Sequence, residues 1–575
     1  MTSPDPIVVI GGGPAGSTAA TALALKGHRV VLLERERFPR EHIGESLLPA
    51  SMPFLEWLGV LPRIEAAGFL KKWGTTMLWG KEREPWSWYF RETNQRYEHT
   101  YQVRRADFDK VLLDNARDHG VDVREGCRVT EVLFDGAAPA ARPPTPPKRI
   151  DDEAESTSAS DRVRSDSQAD HPEPVEGRAT GVAYRDDTGA PRSLAASWVI
   201  DASGQGAVLG HALGLRRWDD FFHNMAVYAY YEGAERLPPP NETNLFIESY
   251  QDGWLWSIPL HTGLMSVGAV VDADVGRAGI VTGLEAFLAQ QIARAPRVSN
   301  MLRRARLVQG PVAVKDWSYI SSEVAGEGWV LAGDAACFID PLFSSGIHLA
   351  MMSGAMAAAY VTTVLKDESM RGPGALFYKD QYMLEYGQFR EMARLFYSTN
   401  RTVDSYFWEA RRIIADQVGS DIAPRDAFVR AVAGRPPRGY ERVVVESGEA
   451  PSGFMAEVRH LEAAQRERKA ELDAMLATAE GRQRLMASRP RLAEGVRLQK
   501  QPEVRDGEFV WGYALSRGGS RMGEPLSAAE AATVARIDGA ATLAGIAAAL
   551  GEATAERVIA TAGRLFVEGS LELSL

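Results

Sequence analysis

The side chains best suited to chemistry fall in four short stretches. The first apolar run, Ile7-Val8-Val9-Ile10, leads directly into Gly11-Gly12-Gly13-Pro14-Ala15-Gly16. This is a GxGxxG set between a buried-strand pattern and the helix pattern Ser17 to Leu25. In that setting Gly11 allows a tight turn, Gly13 lets the backbone approach a pyrophosphate, and Gly16 allows close packing of helix on strand. The helix N-terminus then faces the anion. The next apolar run, Val30-Val31-Leu32-Leu33, ends in Glu34, which can accept from a ribose hydroxyl and would repel the extra phosphate of NADP. Farther along, Trp329-Val330-Leu331-Ala332 runs into Gly333-Asp334. An Asp at the end of such a strand can hold a ribityl or ribose hydroxyl, or it can cap the helix that follows. The fourth stretch is Gly253-Trp254-Leu255-Trp256-Ser257-Ile258-Pro259. Its two-residue spacing puts both indoles on one strand face, as core aromatics or as the wall of a cavity.

Together with Gln102-Val103-Arg104-Arg105-Ala106-Asp107-Phe108-Asp109 and Val199-Ile200-Asp201-Ala202-Ser203-Gly204, these pieces resemble the flavin monooxygenases of the p-hydroxybenzoate hydroxylase fold, over most of residues 1 to 400. The resemblance implies FAD rather than NAD, with Gly11, Gly13, Gly16, Glu34 and Asp334 as cofactor residues and Arg105 matching the family's flavin-side arginine. Taken alone, Arg105 can also be one more solvated charge at a helix start.

Within that superfamily the Trp254 to Pro259 segment matches the WxWxIP motif of flavin-dependent halogenases. Gly68-Phe69-Leu70-Lys71-Lys72-Trp73-Gly74 resembles their Phe-x-x-Lys-x-Gly pattern. The match makes Lys72 the catalytic lysine, with Lys71 as competitor, and Trp254 and Trp256 the indoles that keep flavin and substrate apart. An amine suits the task because it can hydrogen-bond hypohalous acid or be chlorinated by it, and burial would free its lone pair. A third matching piece, Asp340-Pro341-Leu342-Phe343-Ser344-Ser345-Gly346-Ile347-His348, implies a halide site at Ser344, Ser345 and Gly346, with Gly346 also against the flavin. Backbone amides at a helix start suit an anion. Tryptophan halogenases carry a glutamate where this chain has Phe343, so phenol and pyrrole halogenases are the closer resemblance.

The resemblance implies a reaction in which a separate flavin reductase supplies reduced FAD, dioxygen forms a flavin hydroperoxide, and chloride attacks it to give hypochlorous acid. Lys72 then directs chlorination of a small electron-rich aromatic or activated substrate, free or held on an acyl or peptidyl carrier protein. The absence of a second GxGxxG favours an external reductase. The main rival is an FAD-dependent aromatic hydroxylase, which would need neither chloride nor Lys72.

With 575 residues the chain can hold two to four structural units and a large core. Its 65 basic and 76 acidic residues give a net charge of −11, which argues against a general nucleic-acid or anionic-membrane surface. The two cysteines, Cys127 and Cys337, form neither a disulfide framework nor a metal-spaced cluster. No metal is expected, and a cytoplasmic setting fits. No export signal is legible at the start, and the apolar run Leu349 to Val364 reads as a buried helix rather than a membrane span.

The fold class read from these patterns is α/β. A Rossmann-like FAD-binding domain over 1–375 interleaves with a β-sheet substrate domain, in parts at about 50–100 and 205–310. A Pro-rich and then Ser/Asp/Glu/Arg-rich segment, 137–177, reads as a disordered insertion between two strands of a small sheet. Residues 376–525 read as a helical C-terminal region, with a charged helix or helix pair over Glu457 to Met486. Residues 526–575 read as three short helices closed by a β tail, a winged-helix-like unit. Only Arg536, Arg557 and Arg564 are basic from Leu526 onward, too few for a DNA-reading face. A capping or protein-docking role is expected instead.

Overall fold

The computed structural model describes residues 5–79, 84–92, 94, 96–136, 177–250, 252–400, 452–518, 521–551 and 554–574. The 137–176 segment read as an insertion lies outside the described residues. The chain forms two compact units: Met1–Val361 with Tyr382–Tyr406 and Val432–Gly434, and Thr362–Gln381 with Phe407–Ala431 and Arg435–Leu575.

In the first unit, continuous apolar runs make the strands of a sheet buried on both sides. Its order is Ala325–Gly326, Trp329–Leu331, Trp198–Asp201, Ile7–Ile10, Val30–Glu34 and Asp122–Glu125, parallel except for the first pair. Parallel pairing brings the C-terminal ends of the central strands to one edge, so Gly11, Glu34 and Gly333 leave the sheet together. The Pro14–Leu25 helix follows the glycine loop, with proline in its first turn, where a missing N–H costs nothing. The flanking strands Arg128–Phe134 and Ala179–Arg185 pair antiparallel, as their spacing around the insertion suggests.

The second sheet has eight strands, in the order Cys337–Phe338, Arg306–Ser321, Arg216–Glu232, Leu264–Asp272, Gly253–Pro259, Leu245–Tyr250, Gly74–Leu78 and Trp86–Tyr89. Period-two alternation gives it two unlike faces. Val227, Ala229, Phe246, Leu255, Val267 and Ala269 form one face and pack on Phe287, Leu288 and Val298 of two short helices. Tyr228, Tyr230, Trp254 and Trp256 lie on the other, with ring centroids 6.0 to 6.3 Å apart. The Leu349 to Val364 run lies in the Gly346–Lys366 helix. Its length and apolarity would suit a membrane span, but it is buried within the protein.

The second unit holds the expected helix pair, Ser452–Leu476 and Ala479–Ala487. The helices Ala528–Val534, Leu543–Leu550 and Ala555–Val567 follow, and the tail Leu571–Ser574 pairs with Arg489–Leu492. Thr542 and the Ser527/Glu530 capping box start two of these helices. One expectation is corrected: the stretch read as helical to 525 contains a three-stranded sheet, Val496–Arg505, Glu508–Arg517 and Glu524–Leu526. Alternation of Phe509, Trp511, Tyr513 and Leu515 with smaller or polar residues is a strand pattern, and Asp506-Gly507, both at positive φ, makes the turn. Arg564, one of the three basic residues of the end unit, is paired with Glu524, Glu530 and Glu568.

Candidate active site

The glycine loop has the shape a pyrophosphate needs. Gly11 sits at φ +99, where an added Cβ would lie 2.5 Å from Ala202 O, and a Cβ on Gly16 would overlap Gly11 O. At Gly13 the space is open except for one neighbour, Nη2 of Arg40 at 3.3 Å. The other terminal nitrogen of Arg40, Nη1, is buried without a hydrogen-bond partner. A guanidinium poised over an open glycine at a helix N-terminus fits a phosphate oxygen. Arg40 lies beyond the GxGxxG motif, in the loop after the second strand, and its place near that strand is its only signal in the sequence.

Glu34 is buried, and its carboxylate accepts from the amides of Gly12 at 2.6 Å and Glu36 at 2.8 Å. Two backbone donors fix the carboxylate at the strand end and leave lone pairs for a ribose hydroxyl. Asp334, at the end of the Trp329–Leu331 strand, is pushed up to about 6 by burial, against the pull of Arg105 and Arg216. Arg105 is buried rather than a surface charge. Its guanidinium donates to both oxygens of Asp109, at 2.8 and 2.9 Å, and to the carbonyl of Ile43. These residues fit FAD, whose two phosphates and ribityl chain require this kind of cradle.

Lys72 closes the three-residue strand Leu70–Lys72, paired antiparallel with Thr100–Gln102. Alternation turns Lys71 out to solvent and Lys72 inward, where it is 1% exposed. Its Nζ donates to Leu47 O at 3.0 Å and lies 5.3 Å from the centre of the Phe90 ring. Burial lowers its pKa from 10.5 to about 7, so near neutral pH a large share is free amine. The amine borders a narrow cavity lined by Leu48, Met77, Trp88, Phe90, Ile247 and the Leu342-Phe343-Ser344 loop, among others. Ile247 is the direct cross-strand neighbour of Trp256. The structure thus brings Lys72, the Trp strand and the Ser344 loop into one region of the first unit.

Trp254 and Trp256 are buried on one face of their strand. The indole of Trp256 lies against Gly268 of the neighbouring strand, where a Cβ would lie only 2.2 Å from the indole Cζ2. In the loop, Ser344 takes a left-handed conformation, φ +57, and its amide already donates to Pro341 O at 2.9 Å. The Gly346–Lys366 helix starts directly after this turn, and Leu349 N–H donates to Ser345 O at 2.9 Å, which leaves the amides of the first helical residues without an intrahelical acceptor. The Ser345 hydroxyl is buried with no partner, and nothing lies within 4 Å of a Cβ placed on Gly346. Among the described residues, no three His, Cys, Asp or Glu side chains are grouped to hold a metal ion.

A glycine cradle for FAD, coupled to a second sheet that buries a lysine behind aromatic side chains, defines a flavin-dependent oxidoreductase. Comparison with known proteins narrows this. The FAD binding domain family matches residues 5–145 and the Tryptophan halogenase family matches residues 152–440. A protein named Tryptophan 2-halogenase, from Chondromyces crocatus, is 32% identical over 441 residues, 76% of either chain. Sulochrin halogenase gedL of Aspergillus terreus is 32% identical over 397 residues, 67% of either chain. The solved structure of the myxobacterial chondrochloren halogenase CndH matches with a TM-score of 0.61 at 38% identity, over 80% of this chain and 96% of that one. That of CmlS, a flavin-dependent halogenase, matches with a TM-score of 0.65 at 25% identity, over 99% and 96%. The chain belongs to the flavin-dependent halogenase family.

Proposed function

We propose that the protein chlorinates a small, electron-rich aromatic substrate, using dioxygen and chloride to make hypochlorous acid inside the first unit. The observation that carries this reading is the buried Lys72 amine, held by Leu47 O beside the Phe343-Ser344 loop. Reduced FAD, provided by a separate reductase, supplies the two electrons. Overall, FADH2, O2, Cl− and H+ give FAD, HOCl and H2O, and HOCl with an aromatic C–H gives C–Cl and H2O.

The chain's own residues supply place and proton state. The amides of Ser345 and Gly346 hold chloride, with the Ser345 hydroxyl beside them, and the Trp254/Trp256 face excludes the organic substrate from the flavin. The single N–H that Lys72 gives to Leu47 O aims the rest of the amine at the cavity. There it hydrogen-bonds the oxidant and delivers chlorine to one position of the ring. Gly11, Gly13, Gly16, Glu34, Arg105 and Asp334, with Arg40, form the FAD site. Phe343 lines the cavity where the tryptophan enzymes carry a glutamate, which favours a phenol or pyrrole ring, free or tethered to a carrier protein, over free tryptophan.

The test is mass spectrometry of products made with FAD, a flavin reductase, NADH, oxygen and chloride from activated phenols, pyrroles and tryptophan. A chlorine isotope pattern that disappears without chloride is the expected result. Addition of oxygen alone, indifferent to chloride, would make the protein a hydroxylase.

A further inference from the structure

The aromatic face of the eight-stranded sheet meets a buried carboxyl that the chemistry above leaves unused. Glu45 is 0% exposed, and neither of its oxygens makes a hydrogen bond of ordinary geometry. The groups facing them are the hydroxyls of Ser266 and Tyr230. Ser266 is equally buried and accepts from Trp256 Nε1 at 3.3 Å. With that lone pair taken, the Ser266 O–H is left to donate toward Glu45. Ser266 stands opposite Tyr230 on one adjacent strand and Ile258 on the other, so the whole set sits on the face that carries the indoles.

We infer that Glu45 is a positioning residue that sets the indole of Trp256 through the hydroxyl of Ser266. The backbone around Glu45 is anchored for such a role. Val103 N–H donates to Glu45 O at 2.7 Å and Leu47 N–H to Tyr101 O at 3.0 Å, while Leu47 O receives Lys72 Nζ. One short segment therefore reaches both the lysine and the tryptophan wall. Burial, partly offset by Ser266, Tyr230 and Arg105, raises Glu45 to about 7, and Glu41 pushes the same way. The charged and titratable groups around it are Arg105 from its helix, Glu41 from its own loop, and Tyr228 and Tyr230 from the Arg216–Glu232 strand. Loss of the Glu45 proton strengthens its pull on the Ser266 hydroxyl, and Ser266 passes the change to the indole N–H.

The consequence for turnover rests on the halogenase reading; the positioning of the Trp256 indole does not. The test uses the 15N-labelled full chain loaded with FAD and follows the Trp256 indole N–H resonance, assigned by its loss in Trp256→Phe. The resonance is expected to move in Ser266→Ala and in Glu45→Ala. In the wild type it moves with pH around about 7, and this step disappears in Glu45→Gln, which keeps the shape of the side chain. In turnover, Glu45→Ala and Ser266→Ala each lower the halogenated fraction of flavin consumed by roughly threefold or more, and the double variant loses little beyond either single one. A Trp256 resonance indifferent to both Glu45 variants overturns the proposal, as does a double-variant loss equal to the product of the single losses. A resonance that follows Glu45 in a protein that halogenates nothing upholds the positioning and removes the halogenase reading.

Discussion

Replacing Lys72 by methionine should make the protein more stable near neutral pH while disabling it. The folded protein holds this amine at about 7 against 10.5, through burial alone. At roughly 1.4 kcal/mol per pH unit, that corresponds to about 5 kcal/mol of destabilisation when the protein is below the folded value. Methionine fills a similar volume without charge, at the loss of one hydrogen bond to Leu47 O, about 1 kcal/mol. The net gain near pH 7 is therefore about 4 kcal/mol. Between the folded and the unfolded values only the unfolded chain keeps the proton, so wild-type stability rises with pH across that window and that of the variant does not. The advantage of Lys72→Met should shrink by about 1.4 kcal/mol per pH unit and vanish near about pH 10. Urea unfolding of both proteins near pH 7 and near pH 10, followed by tryptophan fluorescence, measures the difference directly. A variant less stable than wild type near neutral pH, or an advantage that ignores pH, would refute a buried, discharged lysine.

Arg40→Ala should weaken FAD binding about tenfold to a hundredfold, the equivalent of about 1.5 to 3 kcal/mol for a charged hydrogen bond, measured by fluorescence quenching of FAD on titration. Gly16→Ala should be purified without FAD, because the new Cβ meets Gly11 O in a backbone that cannot yield; an absorbance spectrum of the purified protein decides it. Gly268→Ala should push the Trp256 indole off its strand and cost about 1 to 3 kcal/mol by overpacking. Thermal unfolding and the ratio of peroxide to halogenated product should both register the change.

Much of this site was legible in the chain because the key elements are local. A strand, a GxGxxG and a helix occur in one continuous run, and Lys72 could be named because the motif spacing selects it over Lys71. The strand alternation then turns that residue inward. What stayed hidden depends on residues far apart in sequence. Ser266 and Gly268 read as ordinary strand residues until the sheet places Trp256 beside them. Glu45 reads as a loop acid until burial against Tyr230 and Ser266 makes it unusual. Arg40 has no spacing rule that ties it to Gly13. The Val496–Arg505 and Glu508–Arg517 hairpin was lost for a different reason: the charged helical pattern before it was extended past its end, although Asp506-Gly507 marks a turn.

The most direct test of the account is one comparison of wild type with Lys72→Met, both loaded with FAD and supplied with reductase, NADH, oxygen, chloride and an accepted substrate. Lys72→Met is expected to consume reduced flavin and oxygen at close to the wild-type rate yet yield no chlorinated product, because the lysine acts after the oxidant is made. Undiminished chlorination by the variant would contradict it.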